Sequence, residues 1–399
     1  MTSKIIDKKS LLANVVKISL ELNNTEQSLR LIHSFFENLK SDRDFTALIR
    51  KTKFFDNSKL GKSGAKVGII KLGNKELVFK YFRLEESRKY KIDYSEGCIK
   101  IYFPFNELIV NSIFENIELF LTPKKYTIYQ EKFQKYLIPI KRIGLNKKHS
   151  FMISDKIGLN FENNYYTNLY EIIINNHIPK IIENIDNQKI LDIFFRDFAN
   201  KLKDYFKCIK FLNENLGYIN SDFKCKNIFI KKKTYEKKNN NLGFITDFIP
   251  LISDLDKASL EFKKLKILPR TDKVSERILT KYKNTIYSKV YEFRYSCSRK
   301  NNLCDRFKPY QYDIITFLYD LYTIFFLRIY DVLDIEINDY LGKLKILNKF
   351  VMKTLNLTEE EFIIFHNRLN KKIIFNNFEE NGFGLHINTM LYYFCKYLN

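Results

Sequence analysis

Residues 217–231 read GYINSDFKCKNIFIK, and this stretch decides the fold. Before it, Leu191, Phe194, Phe195, Phe198, Leu202, Tyr205, Phe206 and Ile209 recur at three and four, the period of a helix with one apolar face. After the last polar residue comes the short apolar run Ile228-Phe229-Ile230, as a buried strand has. The order is therefore helix, polar loop, strand. The loop presents a carboxylate at Asp222, a cation two residues on at Lys224 and an amide five residues on at Asn227. On its own this spacing is equally that of a polar turn in a lysine-rich chain.

Its company gives it meaning. Residues 60–82, LGKSGAKVGIIKLGNKELVFKYF, hold four of the chain's twelve glycines. Gly61, Gly64 and Gly68 precede or enter one strand, Gly73-Asn74 suits a tight turn, and a second strand carries Lys80. Glycines let backbone N–H groups approach phosphate oxygens closely. A helical pattern follows over 104–116 with Glu107 near its start and Glu115 as a rival acid. Apolar runs at 137–143 and 151–157 (FMISDKI, with Ser154) read as strands. Downstream, residues 250–258 read PLISDLDKA, placing Asp254 after an apolar strand, where a carboxylate could meet a metal on phosphates. Asp247 competes with it. Asp313 opens a strong helical pattern, YQYDIITFLYDLY.

These six elements, in this order over residues 61–313, resemble the protein kinases, above all the divergent Ser/Thr kinases of large DNA viruses with AT-rich genomes. The resemblance implies an α+β, bilobal fold. Residues 1–50 would be an N-terminal helical extension, 51–158 a small β-rich lobe and 159–399 a larger, mainly helical lobe. It implies ATP and Mg²⁺ as cofactors and a protein hydroxyl as acceptor. Asp222 and Lys224 would be catalytic. Gly61, Gly64, Gly68, Lys80, Glu107 and Ser154 would serve the nucleotide, Asn227 and Asp254 the metal, and Asp313 would tie down the catalytic loop. The pattern departs from the family at Asn220-Ser221, where His-Arg is usual, and at Leu255-Asp256, where Phe-Gly is usual. Losing the Arg argues against activation by loop phosphorylation, and losing the His against a hydrogen-bonded anchor. These departures feed a second reading, a pseudokinase that binds nucleotide or protein.

Composition bounds the rest. Lys+Arg is 68 against Asp+Glu 46, a formal net charge of +22, which keeps nucleic-acid binding among the classes to weigh. The lysines are dispersed, however, and the aromatics fall at core spacing. Gly61-Lys62-Ser63 matches only the end of a P-loop, because Asp56 stands where the first glycine belongs. Six cysteines form no C-x-x-C pair, so neither a zinc ribbon nor a dithiol site is expected. Five scattered histidines suggest no metal cage. Lys17 and Glu21 interrupt the N-terminal apolar residues, and Asp320 and Arg328 interrupt 314–330. No membrane span is expected, and the chain reads as cytoplasmic, in the host cell or virion that the resemblance implies.

Overall fold

The computed structural model describes residues 42–55, 65–83, 93–95, 98–101, 103–145, 149–220, 222–232, 243–262 and 265–269. It also describes the helical positions Asp313, Phe317, Asp320, Leu321 and Ile324. The chain is α+β. Helix α1 (Asp42–Arg50) leads into β1 (Thr52–Phe54), β2 (Ala65–Leu72) and β3 (Lys75–Arg83). Strands β4 (Asp93–Ser95) and β5 (Cys98–Ile101) precede helix α2 (Phe103–Glu115), and α3 (Pro123–Ile128) follows it. Next come β6 (Ile140–Leu145), β7 (His149–Asp155) and the short β8 (Leu159–Phe161) and β9 (Asn164–Tyr166).

One antiparallel sheet runs in the order β1-β2-β3-β7-β6. Its central strand β3 pairs Lys80 with Val67 on one side and Met152 on the other. Side chains alternate across a strand. Leu77, Phe79 and Tyr81 therefore share one face, where they form a small core with Leu48, Ile70, Phe151 and Ile153. Lys80 lies on the opposite face. Gly68 sits inside β2, where an added Cβ would come within 2.6 Å of the Lys53 carbonyl oxygen. Its missing side chain lets β1 approach.

The second part is built on α4 (Leu169–Ile172), a π-turn over Ile173–His177, α5 (Ile178–Glu183) and the long α6 (Gln188–Leu216). Asn187 caps α6 by accepting from the Ile190 amide. Gly217 ends it with φ +59°, a left-handed conformation that strains any residue with a Cβ. One face of α6 is wholly buried: Leu191, Phe194, Phe195, Phe198, Leu202, Tyr205 and Ile209 enter the main core. Each fully buried Phe or Leu contributes about 1.5–3 kcal/mol from area removed from water. Beyond α6, β10 (Ile228–Lys232) pairs antiparallel with β11 (Phe248–Ile252), and β12 (Leu260–Phe262) and β13 (Leu265–Pro269) follow.

The mainly helical second part also holds strands. Hairpin β10–β11 falls where the apolar runs at 228–230 and before Asp254 are expected to be strands, and the short, unexpected hairpin β8–β9 lies in the second part as well. A four-stranded sheet β12-β13-β5-β4 also joins it to the first part, with β13 and β5 parallel. Pairing between strands some 170 positions apart is not encoded in local pattern. Residues 1–41, Gly61, Gly64, Ser221, residues 233–242 and nearly all of 270–399 lie outside the described residues. Of the expected N-terminal helical extension only α1 is described. Among the described residues no helix is long and apolar enough to cross a membrane.

Candidate active site

Three stretches meet at Lys80. Its ammonium donates to both carboxylate oxygens of Glu107, at 2.8 and 2.6 Å. Glu107 lies in the first turns of α2 and is buried. Burial works against the Lys80 charge, but Glu107 and then Asp254 outweigh it and hold the ammonium above the ordinary lysine value. Burial pushes the Glu107 carboxyl up, Lys80 opposes this and Asp254 adds to it. Asp254 is thus close enough to act on both. Glu115, the rival acid, accepts instead from the Ile140 amide at 2.9 Å, tying the end of α2 to β6.

The catalytic-loop candidates form a second group. Lys224 reaches Asp222 at 3.0 and 3.2 Å, and Lys257 reaches the same carboxylate at 2.9 Å. Burial opposes the Asp222 charge, yet Lys257 and Lys224 bring its carboxyl below the usual carboxylate range. Asn227 donates its Nδ2 to the Asp222 carbonyl at 2.9 Å. That fixes the amide and leaves Oδ1 as its acceptor for a cation. The loop is held from behind: the Asn220 amide donates to Asp313 at 2.6 Å, and the Cys225 amide to Asp320 at 2.7 Å.

The hairpin β10–β11 decides which aspartate accompanies Asn227. Ile228 pairs with Ile252, and Lys232 pairs with Phe248. Asn227 and Asp254 therefore leave the hairpin at the same end. Asp247 stands before Phe248 at the far end, about 17 Å away at roughly 3.4 Å per residue. The Ser253 hydroxyl also donates to the Asn227 carbonyl. Asp254 has φ +54°, a left-handed conformation that costs energy in a residue with a Cβ. Such strain is common where a side chain must be aimed. An amide oxygen and a carboxylate oxygen are the hard donors that Mg²⁺ takes, with phosphates and water completing its shell. The residues present fit that ion.

Ser154 is buried within β7, between Val78 of β3 and Ile140 of β6. The ladder occupies its surroundings, and pairing with β3 ends at Asp155. Gly68 faces β1, as described. Gly61 and Gly64 lie outside the described residues.

Several residues here had no assigned role in the sequence reading. Asn220 was expected to weaken the loop by replacing a His. Instead it makes four hydrogen bonds: its amide to Asp313, its Nδ2 to Tyr218 Oη and the Ser253 carbonyl, and its Oδ1 from the Asp222 amide. A short polar side chain with both donor and acceptor restores the anchor. Asp320 lies seven residues after Asp313, two helical turns on the same face, a spacing visible in the sequence. Asn106 carried no such signal.

No protein-family model matches the chain, and no curated protein matches it either.

Proposed function

We propose that the chain is an ATP-dependent phosphotransferase of the protein-kinase type, moving the γ-phosphoryl group to protein hydroxyls within a bilobal fold. One observation carries the reading. The buried Lys80–Glu107 pair lies within electrostatic reach of Asp254, and Asp254 leaves the same hairpin end as Asn227. Residues from four distant stretches thus supply a phosphate-binding cation, its orienting acid and two hard oxygen donors.

On this reading Lys80 holds the phosphates by charge, and Glu107 fixes its ammonium. Asn227 and Asp254 hold Mg²⁺, which neutralises phosphate charge when bound. Asp222 orients the acceptor hydroxyl and takes its proton, while Lys224 stabilises the transferring group. Backbone just beyond Asp155, where pairing with β3 ends, would meet the adenine. A specific observation supports the second reading, a nucleotide-binding pseudokinase. Two lysines engage Asp222 and make it a weak base.

A γ-labelled ATP transfer assay on a protein panel, with and without Mg²⁺, separates the two. Wild-type chain is expected to label protein only with Mg²⁺, and Asp222→Asn to lose about 10²–10⁴-fold, the usual worth of a general base. ATP binding without transfer would establish the pseudokinase.

A further inference from the structure

We propose that Asn106 is a positioning residue that couples the Lys80–Glu107 pair to the Asp254 loop, so that the two halves of the phosphate site are set as one unit. This rests on the phosphotransferase reading. Asn106 is fully buried and immediately precedes Glu107. Its Nδ2 reaches the carbonyl oxygens of Leu255 at 3.3 Å, Asp256 at 3.0 Å and Ala258 at 2.6 Å. These acceptors line the short turn that directly follows Asp254. Carbonyl oxygens only accept, so the amide nitrogen must face them. Its Oδ1 is then left buried without a partner, which costs free energy. The fold tolerates that cost to keep the donor on the turn.

A second link acts in parallel. Strand β5 ends at Ile101, two residues before α2 begins, and pairs with β13 from Cys98–Lys266 to Ile101–Pro269. Strand β13 in turn pairs with β12, which starts two residues after Ala258. The chain entering α2 and the chain leaving the Asp254 turn are therefore stitched together. A helix held at both places cannot move Glu107 without moving Asp254, the residue immediately before the turn.

The test compares wild-type chain with Asn106→Leu, which keeps the volume and removes the donor. Asn106→Ala, which admits a water to the three carbonyls, is a gentler companion. Hydrogen–deuterium exchange is followed in the nucleotide-free protein over residues 254–262 and, as a reference, over α6. Losing the donor should speed exchange at 254–262 by about tenfold or more, with α6 unchanged. The Mg²⁺ concentration giving half-maximal phosphoryl transfer should rise in step, while a merely structural role would leave it unmoved. Unchanged exchange at 254–262 in both variants overturns the proposal, as does a uniform increase that includes α6. If the wild type transfers no phosphate, the phosphotransferase reading fails, and the exchange comparison alone still decides the coupling.

Discussion

Lys80 and Glu107 are each expensive to bury and are held together by two short hydrogen bonds. Breaking such a pair from one side leaves the other charge stranded, at about 3–5 kcal/mol. Lys80→Met is therefore expected to lower phosphoryl transfer by about 10²–10³-fold, the worth of one preorganised charge, and to destabilise the fold as well. The double variant Lys80→Met/Glu107→Leu removes both charges. It should regain most of the stability in chemical denaturation and none of the transfer. A double variant as unstable as Lys80→Met would show that the pair's surroundings, rather than the stranded carboxylate, set the cost. Transfer that survives Lys80→Met would remove the lysine from the reaction. At this scale the sequence was informative where a residue type is rare in its setting. A lysine inside an apolar strand and an acid opening an apolar helix both stood out. Asn106 did not, because its meaning lies in three backbone oxygens about 150 positions away.

At the scale of elements, hairpin register does the sorting. Asp247 and Asp254 are both acids beside one apolar run, and composition cannot rank them. Pairing of Ile228 with Ile252 carries Asp254, and not Asp247, to the end where Asn227 sits. Asp254→Ala is therefore expected to eliminate Mg²⁺-dependent ATP turnover, and Asp247→Ala to leave most of it. Turnover of both variants at saturating Mg²⁺ checks this, and the reverse pattern would move the metal to Asp247. Helix α6 and the β2–β3 hairpin were legible because their periods are local and long. The parallel pairing of β5 with β13 was not, since a strand's own pattern does not name a partner about 170 positions away. The hairpin β8–β9 escaped for another reason: three-residue strands are too short to show a period.

Across the whole molecule, the main core surrounds one histidine that the sequence offered no way to place. His177, in the π-turn between α4 and α5, is fully buried against the rings of Phe194, Phe198 and Phe244. Its Nε2 donates to the Ile245 carbonyl at 2.8 Å, and its Nδ1 has no partner. Burial disfavours the charged ring and pushes its pKa down from 6.5 to about 4, against the pull of that carbonyl. The unfolded chain therefore takes up this proton first as the pH falls. The contribution of neutral His177 is complete above about pH 6.5 and is lost progressively toward pH 4, amounting to about 3 kcal/mol. Asp256 titrates in the same window with the opposite sign. Burial, then Asp254 and Glu107, push its carboxyl up to about 7, so the folded chain binds that proton first and gains stability as the pH falls. The wild-type curve alone would mix the two. The comparison with His177→Gln, which keeps an amide donor for Ile245 and does not titrate, isolates the histidine. Denaturation midpoints followed by circular dichroism between pH 7 and 4 should fall more steeply for the wild type than for His177→Gln. Parallel curves would mean that the ring is protonated, or solvated, inside the folded protein.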